Sequence, residues 1–256
     1  MMLAFDFYAY HNRLHRVDPG LKLAFVTVAL GLVLTGGVAV AVAAIVVAAV
    51  LVLAAGVPFC LFLRLLLLPI GFLLPGVLAL VVTTGKAVSW GVQVAAWRVG
   101  VTDAGLSQAC VLGLRALAAA ACLYFLALTT PVPAVLGVLR RLGVPALAIE
   151  IAVLTYRYLF VLERVAHGIY LAQAARGGYQ SLRGRLYSLG LLAGQLFLVT
   201  YYRAQNLYTA LLARGYRDAL LLPQREHPAL SKTECWAVGG FAGLTALLVL
   251  VWLWGQ

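Results

Sequence analysis

The sequence predicts an all-α, polytopic helical membrane protein: about five transmembrane helices, with two further long helices on the cytoplasmic side. Three observations carry this. Of 256 residues, 64% are hydrophobic and only 11% charged, with a mean hydropathy of +1.01; a soluble domain is about half apolar. The apolar residues fall in separate runs near the ~20 residues needed to cross a bilayer. The net charge of +11 is concentrated rather than spread, because ten of the nineteen Lys and Arg lie between Arg140 and Arg217.

Residues 1–22 are polar and mixed, with Arg13, Arg16 and Lys22, and are expected to form a solvated cytoplasmic arm. A basic flank before an apolar run also describes a signal peptide. No small-residue cleavage site interrupts this run and further spans follow, so it is expected to be retained. His11 and His15 are four apart, but Asn12 stands where a zincin helix needs Glu. The transmembrane region, residues 23–129, draws on four runs. The first two, 21–34 and 38–55, are dense in Leu, Val and Ala. Arg64 separates them from a third at about 65–82, which Pro69 and Pro75 are expected to bend; neighbouring helices in a membrane satisfy the freed carbonyls. Residues 86–106 are less apolar and carry Trp90, Trp97 and Asp103. Their alternation predicts a short hairpin or interfacial loop with the tryptophans at headgroup level. The fourth run, 105–128, contains Arg115, expected to serve packing or an ion pair before any transport chemistry.

Residues 130–217 form the next region. Thr129-Thr130-Pro131-Val132-Pro133 ends the fourth run, and a short amphipathic helix, 134–142, carries Arg140 and Arg141. After Gly143-Val144-Pro145 a long run extends to Ala175, roughly 45 Å at 1.5 Å per residue. A second covers about 186–213, and a polar hinge, 177–185, joins the two. Both runs end on the same residues: Ala175-Arg176-Gly177, then Gly178-Tyr179, and Ala213-Arg214-Gly215, then Tyr216. Gly best accepts the left-handed conformation beyond a helix end, and Arg complements the helix dipole there. One such triplet reads as an ordinary helix stop. Two in the same order, in an otherwise apolar chain, read as a matched pair of protruding docking points.

Charge decides the topology. With the N-terminal arm inside, four crossings return the chain to the cytoplasm at Arg140. A crossing by the first long run would place Arg176, Arg183 and Arg185 outside, against the positive-inside rule. Both runs are therefore expected to lie against the cytoplasmic face as a hairpin, apolar parts in the interface and basic ends toward the cytosol. Residues 235–254 are a fifth span that leaves Gln256 outside, and Gly239-x-x-x-Gly243 is expected to let it pack closely.

No catalytic residue, cofactor or metal site is expected. Gly85-Lys86 has Leu80 where a P-loop needs Gly and Ala87 where it needs Ser or Thr, and no G-x-S-x-G occurs. His11, His15, His167 and His227 are scattered, as are Cys60, Cys110, Cys122 and Cys235, so neither a tetrahedral site nor a disulfide frame follows from their spacing. A basic chain can bind nucleic acid, but here the positive-inside asymmetry is the better account, so membrane lipid is expected as a partner and nucleic acid is not. Two other functional classes fit the composition less well. An enzyme acting on anionic lipid headgroups would use the basic hairpin but lacks a carboxylate or His set beside it. A secondary transporter would show inverted repeats and broken helices, and neither is visible.

Along its whole length the chain resembles the transmembrane T component of energy-coupling factor (ECF) transporters, cobalt type (CbiQ-like). The resemblance is carried by Asp18-Pro19 through Lys22, Thr129-Thr130-Pro131, Arg140-Arg141-Leu142-Gly143-Val144-Pro145, Tyr156-Arg157-Tyr158-Leu159-Phe160 and, most specifically, both Ala-Arg-Gly triplets. It implies a multi-pass scaffold of the cell (inner) membrane rather than an enzyme, with two coupling helices that dock on two cytoplasmic P-loop ATPase subunits. It implies a substrate-binding S component of the cobalt type, alone or with a small accessory membrane subunit. Ala175, Arg176, Gly177 and Ala213, Arg214, Gly215 carry over as the ATPase-docking triplets. The implied function is ATP-driven import of cobalt ion, with nickel or a vitamin as alternative cargo on the same scaffold. Gly178, inserted before Tyr179, departs from the pattern and is expected to loosen the first tip.

Overall fold

The computed structural model of the chain describes residues 8–84, 90–94, 97–101, 103–216 and 232–254. Gly85-Lys86, His227 and Gln256 lie outside them, as do the side chains of His15 and Cys235. A 3-10 turn, Arg13–Arg16, precedes α1 (Pro19–Thr35), α2 (Val38–Ala54) and α3 (Phe59–Val81). Three short strands follow, β1 (Val82–Thr84), β2 (Trp90–Val94) and β3 (Trp97–Val101), then α4 (Asp103–Thr129), α5 (Val132–Arg141), α6 (Ala146–Ala175), α7 (Leu182–Ala213) and α8 (Lys232–Trp254). The chain divides into two compact units, Met1–Val135 with Glu226–Gln256, and Leu136–Arg225. It is a helical membrane protein. Phe59–Val77 and Ser107–Thr129 are long and apolar enough to cross a bilayer, and Pro19–Thr35, Val38–Ala54 and Gly239–Trp254 are shorter apolar helices.

Local chemistry sets the helix ends in the first unit. The Asp18 carboxylate accepts from the Gly20 N–H at 3.1 Å and Pro19 occupies the first turn, where its missing N–H costs nothing. α1 stops at Gly36, where a Cβ would meet the Leu32 carbonyl oxygen at 2.6 Å and Val40 Cβ at 2.8 Å. Arg115 of α4 donates to the Gly36 carbonyl. A charge inside a span is thus answered, among the described residues, by a helix-end carbonyl rather than by a carboxylate.

The core of this unit is built from small residues. Ala41, Ala44, Ala48 and Val52 of α2 are buried in one cluster with Ala118, Ala121 and Phe125 of α4. Small side chains let membrane helices approach closely. Val42, Val46, Val50 and Leu53 on the remaining face are exposed, as suits acyl chains. Phe25, Phe125 and Phe241 tie α1, α4 and α8 together, with ring centroids 6.2 Å, 5.2 Å and 6.3 Å apart.

Several expectations need correction. Arg64 lies inside α3, which starts at Phe59, because the positive φ of Gly56 and the following Pro58 end the α2 turn earlier than the charge does. The described part of the N-terminal arm is only partly solvated: Tyr10, His11 and Arg13 are exposed, but the arm also packs inward. Asn12 and Lys22 are buried, and the Asn12 amide donates to the carbonyls of Ala9 at 2.8 Å and Thr129 at 3.2 Å. The last carbonyls of a helix have no partner within it, and here the arm supplies donors to the end of α4. Gly239 and Gly243 are exposed and nothing lies within 4 Å of a Cβ at either. α8 packs instead through Phe241 and Leu248. The expected hairpin is present. β2 and β3 pair antiparallel with Val94 opposite Trp97, and β1 adds to β3. Cys60, Cys110 and Cys122 are free thiols.

Candidate functional site

In the second unit α6 and α7 run antiparallel. The chain turns between Arg176 and Ser181, while at the other end the Tyr216 hydroxyl, just beyond α7, donates to Glu150 Oε2 near the start of α6 at 3.0 Å. α7 starts at Leu182, so the hinge is shorter than expected. Ser181 is its N-cap, the side chain accepting from the Gly184 N–H at 3.0 Å. One tip therefore sits at the closed end of the hairpin and the other at its open end. They are separated by the length of α7, about 48 Å for 32 residues if straight.

Both tips close in the same way. At the first, Gly177 takes φ +75°, its N–H donates to the Ala174 carbonyl at 3.0 Å, and the Gly178 N–H donates to the Gln173 carbonyl at 3.0 Å. At the second, Gly215 takes φ +74°, its N–H donates to the Leu212 carbonyl at 3.0 Å, and the Tyr216 N–H donates to the Leu211 carbonyl at 3.1 Å. These paired bonds are a Schellman motif, which satisfies helix-end carbonyls and favours Gly at the left-handed position.

The backbone motif alone does not mark a docking point. α2 and α5 end identically, through Gly56 and Gly143, with Val57 donating to Val52 and Val144 to Leu139. The cap residue is what differs. It is Ala55 or Leu142 at those ends and Arg176 or Arg214 at the tips. Arg176 and Arg214 are exposed, flanked by exposed Ala175 and Ala213. Among the described residues neither guanidinium has a partner.

Gly178 does not loosen the first tip. It makes the outer Schellman bond, and a Cβ there would lie 2.5 Å from Ser188 Oγ. Ser188 is buried on α7 and donates to the Gly178 carbonyl at 2.9 Å. Arg185 Nε donates to the Tyr179 carbonyl at 2.9 Å, the Tyr179 hydroxyl donates to Gln173 Oε1 at 2.7 Å, and its ring lies 4.7 Å from that of Tyr170. The glycine is the contact point that lets α7 begin against the tip.

The sequence shows the triplets and the tyrosine soon after each, but not Ser188, nor the use of Glu150, nor the contacts by which those tyrosines hold the tips. The one available signal was a Tyr soon after the glycine at each tip. No group of three or more His, Cys, Asp or Glu that could hold a metal ion occurs among the described residues.

The family described as CbiQ, cobalt transport protein, matches residues 11–225. The chain is 34% identical over 157 residues to the cobalt transport protein CbiQ of Salmonella typhimurium, covering 60% of this chain and 70% of that one. It is 36% identical over 168 residues to the CbiQ of Rhodobacter capsulatus, covering 66% and 65%. Against a chain from Methanocorpusculum labreanum described as a fused cobalt transport protein, CbiMQ, identity is 32% over 168 residues, covering 65% of this chain and 28% of that one. The match thus spans less than a third of the fused protein and about two thirds of the two CbiQ chains. With both tips and the turns that lead to them inside the matched region, the resemblance read from the sequence holds, and the chain belongs to the CbiQ family of cobalt transport proteins.

Proposed function

We propose that this chain is the membrane scaffold and coupling subunit of an ATP-driven, ECF-type importer of cobalt ion. Two separate P-loop ATPase subunits receive the tips Ala175–Gly177 and Ala213–Gly215. An S component of the cobalt type, alone or with a small accessory membrane subunit, carries the cargo, and this chain passes ATPase motion to it. Residues 130–217 form the cytoplasmic coupling region, reached after the N-terminal arm and four spans; the fifth span, 235–254, puts the C-terminus outside.

The observation that carries this reading is the pair of exposed arginines, without a partner among the described residues, on identical helix closures at opposite ends of one hairpin. A guanidinium offers five N–H donors in a fixed fork, suited to a partner's carboxylate or carbonyls. The family match adds cobalt as cargo, and a relative described as a fused CbiMQ supports a second membrane component. The test is capture of ATPase subunits from membranes with the tagged chain, together with cobalt uptake. Wild-type chain should bring down a P-loop ATPase; recovery unchanged when both arginines are reversed in charge would overturn the reading.

A further inference from the structure

We infer that Glu150 is a positioning residue for the second tip: by accepting the Tyr216 hydroxyl it fixes where Arg214 is presented. This inference rests on the docking function proposed above.

A Schellman closure fixes the backbone of a helix end but not the direction in which that end points. At the first tip, direction comes from residues close in sequence. Ser188, Arg185 and Gln173 hold Gly178 and Tyr179, none more than ten positions away. The second tip has a different support. Tyr208, Thr209, Ala210, Leu212, Ala213, Arg214 and Gly215 are all exposed, so the last turns of α7 carry little packing of their own. Tyr216 is half-buried, and its hydroxyl reaches Glu150, 66 positions earlier on α6. The same tyrosine donates the outer Schellman bond to Leu211 through its backbone. One residue thus closes the tip with its main chain and moors it with its side chain.

Glu150 is 4% exposed. A buried carboxylate is unfavourable unless it is hydrogen-bonded, so its presence in an otherwise apolar stretch of α6 calls for a purpose. The tyrosine after each tip returns to an acceptor on α6 in both cases: Tyr179 to Gln173 and Tyr216 to Glu150. Tying both tips to one helix makes α6 the common reference from which the two arginines are presented.

The test uses the full chain in lipid nanodiscs, alone and with its ATPase partners. In Tyr216→Phe and Glu150→Leu, the Gly215 and Tyr216 amides should exchange hydrogen about tenfold faster, the order expected for losing one bond to a charged acceptor. The Gly177 and Gly178 amides should not change. Glu150→Gln keeps an acceptor oxygen and should retain most of the protection. ATPase capture should fall further when Tyr216→Phe is added to Arg176→Glu, where the second tip carries the attachment. It should not fall further when Tyr216→Phe is added to Arg214→Glu. Unchanged exchange at Gly215 and Tyr216, failure of Glu150→Gln to retain protection, or an equal loss of capture in both backgrounds overturns the inference. Faster exchange with wild-type capture in Arg214→Glu would instead sink the docking reading and leave the mooring intact.

Discussion

The Lys22 ammonium donates to the Thr129 carbonyl at 3.0 Å, across 107 positions of sequence. It also donates to the Leu14 carbonyl at 2.6 Å and is 1% exposed. With the Asn12 amide on the same Thr129 oxygen, a cation and an amide close the C-terminal end of α4, where the helix dipole is negative. The Thr129-Thr130-Pro131 turn that leads into α5 starts from this clamped point.

Lys22→Met keeps most of the stem and removes the donors, leaving the Leu14 and Thr129 carbonyls without the ammonium. Loss of hydrogen bonds from a charged group should cost about 1.5–3 kcal/mol. The measurement is thermal unfolding of the detergent-solubilised chain; an unchanged midpoint would show that the buried amine contributes nothing.

Gly178→Ala should disturb the first tip, because the new methyl lies 2.5 Å from Ser188 Oγ. Overpacking of this kind costs roughly 1–3 kcal/mol. Adding Ser188→Ala removes the clashing oxygen and should recover part of the loss. Gly190→Ala, where nothing lies within 4 Å, is the control and should stabilise α7 by about 0.5–1 kcal/mol. Equal effects at Gly178 and Gly190 would contradict the close approach.

Arg176→Glu and Arg214→Glu should each weaken ATPase association, by at least the roughly 2–5 kcal/mol seen when an interfacial charge pair is truncated. Because two attachment points act with avidity, single changes weaken the complex and the double change abolishes it. If the arginines only compensated the helix dipole, each would be worth at most about 1 kcal/mol of local helix stability, and capture would survive. Expression and membrane insertion of each variant are checked first.

A cysteine replacing Ser181 should be labelled by an impermeant maleimide in inverted vesicles and not in intact cells. The basis is the concentration of Arg and Lys between Arg140 and Arg217. Labelling from outside intact cells would invert the proposed topology.

The purified chain alone should show no sub-micromolar, stoichiometric Co²⁺ binding by calorimetry, since the described residues bring no three ligand-type side chains together. Tight binding would move cargo recognition onto this subunit.

The parts of this molecule legible in sequence are those governed by local rules. Apolar runs marked the helices, and Ala-Arg-Gly marked the ends of α6 and α7. What stayed hidden depends on pairings distant in sequence. Lys22 read as the edge of a solvated arm because charge is mostly exposed, and only folding brings Thr129 to it. Glu150 gave no sign of its use, since Tyr216 lies 66 positions away. Gly178 read as an insertion that loosens a helix end; its fit against Ser188 needs the start of α7 in place. Gly239-x-x-x-Gly243 erred the other way: the spacing is present, but Phe241 and Leu248 form the packed face of α8.

The antiparallel course of α6 and α7 has a consequence for whatever receives the tips. Two helices of similar length that run in opposite directions are related by an approximate two-fold axis at right angles to them. That operation carries the C-terminal end of one onto the C-terminal end of the other, and so Arg176 onto Arg214. Most soluble oligomers are built on closed symmetry, the two-fold dimer above all. A single asymmetric chain can therefore present pseudo-symmetric ends to a dimer of identical subunits. Each subunit then needs only one kind of socket, and a closing motion of the dimer about its axis acts on both ends of the hairpin at once.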